Sequence, residues 1–135
     1  MTSSKQSPEA AHLIRRFWLL LGWLLVLLII YLSLTPHPVQ VPVEQGDKLG
    51  HVVAYATLMS WFANLYEGSV RRRQFAIGFI ALGIALEFVQ GWTGYRTFEV
   101  ADMAADTIGV AAGWIVAPPR IPNYLRGMEL LFWRD

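Results

Sequence analysis

Residues 17–34 read FWLLLGWLLVLLIIYLSL, eighteen positions without a charge. At 1.5 Å per residue such a helix extends ~27 Å, close to the thickness of a bilayer's hydrocarbon core. Arg15 and Arg16 flank the run on one side. Thr35-Pro36-His37-Pro38 ends it on the other, because a residue before proline avoids the helical region. The competing reading is a cleaved signal peptide. The run is long for an apolar signal core, and Leu32-Ser33-Leu34-Thr35-Pro36 offers no pair of small residues for cleavage. A retained anchor is expected.

Three further apolar stretches follow. The second, 49–66, is entered through Gly46-Asp47, which supplies an N-cap. The third, 75–92, comes after the basic turn Arg71-Arg72-Arg73. The fourth, 98–117, stops before Pro118-Pro119, with Thr97 as N-cap and Glu99 in a first turn where the helix dipole favours an acid. Along it Ala101, Ala105, Gly109 and Gly113 place a small residue at every fourth position, a ridge that permits close helix contact in a membrane. The chain has 135 residues, 55% hydrophobic and 16% charged, too few charges for a soluble domain with runs of this length. It has no cysteine, which excludes disulfides, thiolate metal sites and a thiol nucleophile. Its formal net charge of +1 gives no ground for a nucleic-acid partner. The reading is an all-α membrane protein, a four-transmembrane-helix bundle forming a single domain over 1–135.

The basic residues orient it. Lys5, Arg15 and Arg16 precede the first span, Arg71, Arg72 and Arg73 lie in the second loop, and Arg120, Arg126 and Arg134 in the tail. The first and third loops hold only Lys48 and Arg96. Nine against two puts both termini in the cytoplasm by the positive-inside rule. The expectation is thus a multi-pass protein of a bacterial inner membrane, with 1–16 and the tail 118–135 on the cytoplasmic side. Residues 1 to about 10 are expected to be disordered. In the tail, Tyr124, Leu125, Met128, Leu131 and Phe132 fall at helical spacing opposite Arg126 and Glu129, as in an interfacial helix or one packed on the bundle.

With that topology the ionisable residues gather at the outer side. Lys48, His51 and Tyr55 share a face of the second span, with Asp47 beside them, and Glu87 and Gln90 share a face of the third. Arg96 lies in the third loop, and Asp102 and Asp106 stand one turn apart on the fourth span. Glu87 lies five residues before Trp92, ~7.5 Å inside the helix end. A carboxylate at the bilayer centre costs roughly 2.5–3.5 kcal/mol, so Glu87 and Asp106 should face the bundle interior and find partners there. Taken singly, each residue reads more readily as packing: Lys48 and Arg96 neutralising acids, His51 as a hydrogen-bonded core residue. Ion pairing alone does not call for all of them at one depth, and convergence in one cavity open to the outer face is expected.

These residues also carry a resemblance. Asp47-Lys48-x-x-His51-x-x-x-Tyr55, Glu87-x-x-Gln90, Arg96 and Asp102-x-x-x-Asp106-x-x-Gly109-x-x-x-Gly113 are similar to the VanZ-like family of small integral membrane proteins. One position departs from the family pattern: Asp106 stands where Asn is common, adding a potential charge. The resemblance implies a cell-envelope setting and a contribution to tolerance of glycopeptides of the teicoplanin type, but no reaction.

Three functions are open on these residues. One is an envelope protein that binds or acts on a lipid-linked or cell-wall-related molecule, such as a lipid-linked cell-wall precursor or a glycopeptide. In its enzymatic form Glu87 or Asp102 is the general base, with His51 as partner acid or base. Lys48 and Arg96 then hold an anionic head group, with Asp47, Tyr55, Gln90 and Asp106 completing the binding surface. No cofactor is called for; the acids and His51 are divalent-metal ligand types, but no spacing singles out a metal. The second is a non-enzymatic membrane binding or assembly partner, with the polar cluster as an interhelical ion-pair network. The third, a small transporter, lacks charges at depth in the cytoplasmic halves.

Overall fold

The computed structural model describes residues 8–40 and 42–132. Five helices account for its order: α1 (Pro8–Leu34), α2 (Gly46–Leu65), α3 (Ser69–Thr93), α4 (Val100–Ile115) and α5 (Tyr124–Phe132). No strand occurs among the described residues. The four expected apolar segments fall in helices α1–α4, which run up and down in antiparallel succession. Among the described residues α1 and α3 are the two helices long and apolar enough to cross a membrane by themselves. α2 carries Asp47, Lys48 and His51, and α4, at 16 residues, extends only ~24 Å.

Several boundaries differ from the sequence expectation, each for a local reason. α1 begins at Pro8, a residue suited to a first helical position, so residues 8–10 are helical rather than disordered. Residues 1–7, with Lys5, and residues 133–135, with Arg134, lie outside the described residues. Gln45, not Gly46, precedes α2, in a left-handed conformation at φ 56°. The arginine run belongs to the first turns of α3 and forms no separate turn, as suits a good helix former. α4 starts two residues late: Glu99, in extended conformation, replaces Thr97 as the residue before it. The helix also stops at Ile115 rather than Ala117. A cis peptide bond joins Pro118 and Pro119.

α2 is the central helix. Tyr55, Leu58, Met59, Phe62 and Ala63 are buried almost completely, enclosed by α1, α3, α4 and α5. Its widest contact is with α4, and the small-residue ridge explains the closeness. A β-carbon on Gly109 would stand 2.9 Å from Tyr55 Cβ, and one on Gly113 would stand 2.9 Å from Met59 Cβ. The ridge is displaced by one residue at its start: Ala101 is exposed, and the buried stripe runs Asp102, Ala105, Asp106, Gly109, Gly113. On the other side Phe62 meets Phe75, Phe79 and Trp23, with ring centroids 4.6, 5.3 and 5.5 Å apart. Such aromatic pairs contribute about 0.5–1.5 kcal/mol each beyond burial. α5 packs on α2 through buried Leu125, its first turn held by Asn123 Oδ1, which accepts from Arg126 N at 3.0 Å.

The outward faces are apolar. On α1, Leu13, Phe17, Leu20, Leu24, Leu27 and Tyr31 form one exposed helical stripe, continued on α3 by Ile77, Ile84 and Phe88. A patch of that extent is foreign to a monomer in water and suits hydrocarbon.

Candidate functional site

At one end of the bundle the close α2–α4 contact brings two polar faces together. Asp47, Lys48 and His51 occupy the first turns of α2, and Asp102 and Asp106 successive turns of α4. Lys48 Nζ pairs with Asp47 Oδ2 at 2.9 Å, with Glu99 Oε2 at 2.5 Å and with Asp102 Oδ1. Its three donors are matched by three acceptors, so no donor remains for an incoming anion. His51 Nδ1 lies 2.8 Å from Asp106 Oδ1, and its Nε2 lies 3.6 Å from Asp102 Oδ2. Acids and basic groups therefore alternate along one line: Asp47 and Glu99, Lys48, Asp102, His51, Asp106. Asp102 and Asp106 are buried, while Asp47 is open to solvent.

Asp47 and Lys48 precede the second apolar span. The bond from Lys48 holds the Asp47 carboxyl below its ordinary value. Burial pulls Lys48 down, but its bonds with Asp102, Glu99 and Asp47 outweigh that and hold its ammonium above the usual range. Both groups thus remain charged across the physiological range.

α3 reaches the cluster through Gly83 and Glu87. A β-carbon on Gly83 would stand 3.0 Å from Asp106 Cγ, so the missing side chain provides the room that the Asp106 carboxyl occupies. Glu87, 1% exposed, accepts the backbone N–H of Glu99 through Oε1, placing a carboxylate at the start of α4 where an N-terminal donor needs an acceptor.

Gln90 and Arg96 turn toward the end of α1. Gln90 Nε2 donates to Ser33 O at 2.7 Å, Tyr95 Oη to Leu34 O at 2.8 Å, and Arg96 Nη1 to Thr35 O at 3.5 Å. Together they satisfy the carbonyls that α1 leaves open where Pro36 stops it. Arg96 forms no ion pair with Asp102, because Lys48 and His51 already flank that carboxylate. The expected convergence is therefore partial: Asp47, Lys48, His51, Asp102 and Asp106 meet, Glu87 adjoins them, and Gln90 serves the end of α1.

A cavity of about 230 Å³ lies beside the cluster, between the end of α1, the segment that follows it and α2. Ser33, Val39, Asp47, His51, Tyr55 and Arg96 are among its lining residues. A ligand in it would meet an imidazole already oriented by a carboxylate, a phenol, and a guanidinium that makes one hydrogen bond among the described residues. Carboxylate oxygens of Asp47, Glu99 and Asp102 also lie within 4.8 Å of one another, a carboxylate set suited to a divalent ion. The Lys48 ammonium, bonded to all three, is the cation they hold.

Glu99 is the site residue that sequence reasoning missed. It reads as a dipole-compensating acid, and only the extended backbone before α4 turns it back toward Lys48.

A chain helical throughout its described elements, with two membrane-length apolar helices and a half-buried cluster of alternating acids and bases at one end, is a small helical membrane protein. The family model for VanZ/LLP1 matches residues 9–121, and the chain belongs to that family of small integral membrane proteins. No curated protein and no solved structure matches it.

Proposed function

We propose that this is a four-span protein of the bacterial inner membrane, both termini cytoplasmic, whose outer end binds a lipid-linked or cell-wall-related molecule in the cavity beside His51. The exposed apolar stripes on α1 and α3 and the nine-to-two charge asymmetry support the four spans and their direction. The observation that carries the site is the 2.8 Å contact of His51 with Asp106 on the wall of a cavity that Tyr55 and Arg96 share. A carboxylate so placed fixes the tautomer and orientation of the imidazole, leaving His51 to exchange a proton with a bound hydroxyl or phosphate. Arg96 is the residue for an anionic head group, since Lys48 is saturated.

The second reading, a non-enzymatic assembly partner, is favoured by the same saturation: Lys48, Asp102 and Glu87 all have partners within the protein. The test uses His51→Gln, Asp106→Asn and Arg96→Gln in a host where the wild type confers a glycopeptide-tolerance phenotype. All three are expected to accumulate in the membrane and to lose that phenotype. Full tolerance in His51→Gln and Arg96→Gln cells, with normal protein levels, overturns the cavity as the functional site and leaves the network reading.

A further inference from the structure

The opposite end of the bundle holds a second cavity, of about 490 Å³, between the start of α1, the α2–α3 connection and α5. Three arginines line it, Arg15 from α1, Arg71 from the first turn of α3 and Arg126 from α5. Among the described residues none of these guanidiniums makes an ion pair; Arg15 only lies over the Tyr66 ring, 5.2 Å from its centroid. The cations outnumber the acids on the same lining, Glu67 and Glu129, and Glu67 already accepts from Asn123 Nδ2 at 3.2 Å. Trp18 also borders the cavity, and its indole N–H is buried without a partner among the described residues.

Arg71 belongs to a second space as well. A groove of about 450 Å³ between α1 and α3 runs from Arg71 past Phe75, Gly78 and Phe79 to Leu82, with Trp23 and Val26 as its other wall. Arg71 to Leu82 measures ~16 Å along the helix, about half of a ~30 Å hydrocarbon core, or one leaflet. The groove is polar at its mouth, through Arg71 and Gln74, and apolar from Phe75 to Leu82, the distribution of polarity found in a phospholipid.

We propose that α1, α3 and α5 together form a binding site for one phospholipid, with its phosphate among Arg15, Arg71 and Arg126 and an acyl chain in the α1–α3 groove. The guanidinium fork matches phosphate oxygens, and three forks from separate elements make the headgroup a bridge between α1, α3 and α5. The inference rests on α1 and α3 crossing the membrane and is independent of the His51 end.

The test measures thermal unfolding of the full chain in detergent, titrated with dioctanoyl phosphatidylglycerol, with dioctanoylglycerol, which lacks the phosphate, and with inorganic phosphate. Two variants accompany the wild type. Arg71→Gln removes the cation common to both spaces. Gly78→Leu puts a side chain into the groove from a position where a β-carbon meets nothing within 4 Å. The expected result is saturable stabilisation of the wild type by the phospholipid alone, with apparent affinity at least tenfold weaker in each variant. Equal stabilisation by dioctanoylglycerol, or undiminished affinity in both variants, overturns the proposal. Saturation by inorganic phosphate alone overturns it too, assigning the arginines to a free anion.

Discussion

Arg72 is a guanidinium only 6% exposed, and its partners are all backbone. Nε donates to Tyr66 O at 2.9 Å, Nη2 to Ala63 O at 2.8 Å, and Nη1 to Pro118 O. One side chain thus closes the end of α2 and ties it to the segment after α4. Hydrogen bonds to charged groups contribute roughly 1.5–3 kcal/mol each, so Arg72→Gln is expected to lower the unfolding temperature clearly, whereas Arg73→Gln, exposed beside it, is not. Parallel melts in one detergent compare them. At Glu87 the acceptor matters more than the charge. Glu87→Gln keeps an oxygen for Glu99 N and forfeits only a dipole interaction of about 0.3–1 kcal/mol, while Glu87→Ala loses the cap, at about 0.5–2 kcal/mol. Membrane abundance should therefore rank wild type, Gln, Ala; equal loss in both variants would mean that the charge itself is structural. The sequence made Lys48, His51, Asp102 and Asp106 readable as a cluster because each pair shares a helix face by spacing alone. Arg72 read only as topogenic charge, and Gln90 as a site residue, since their partners are carbonyls of other helices and leave no mark in side-chain patterns.

Between elements, the α2–α4 contact governs the polar site, because any separation of these helices pulls Lys48 and His51 away from Asp102 and Asp106. A methyl on Gly113 would press on Met59 and on the backbone of Ala56. Overpacking of this kind costs about 1–3 kcal/mol, so Gly113→Ala is expected to destabilise the protein. Gly50→Ala, in α2 with nothing within 4 Å, is expected to gain about 0.5–1 kcal/mol from reduced backbone freedom. Thermal melts of the two variants should move in opposite directions. All four apolar runs were legible as helices, since length and high apolar content decide that. Their ends were less so: Gln45 in a left-handed turn and Glu99 in extended conformation reflect tertiary demands that capping rules based on Asp47 or Thr97 do not contain.

At the scale of the molecule, topology is the claim with the widest reach. Reporter fusions after Gln40 and Tyr95 should score as extracytoplasmic and those after Ser69 and Asn123 as cytoplasmic. A cytoplasmic signal at Gln40 overturns the orientation proposed for the His51 cavity. The α2–α4 contact, finally, has a consequence for how the chain is made. α2 is complete at Leu65, but α4 does not begin until Val100, so the ribosome delivers the central helix well before the helix that covers it. Until then Lys48 and His51 lack Asp102 and Asp106, and Tyr55 and Met59 lack the glycine ridge. On the proposed topology, a nascent chain halted after α3 is thus an unfinished client with its most polar face uncovered, suited to retention by an insertase or removal by a membrane protease until α4 arrives.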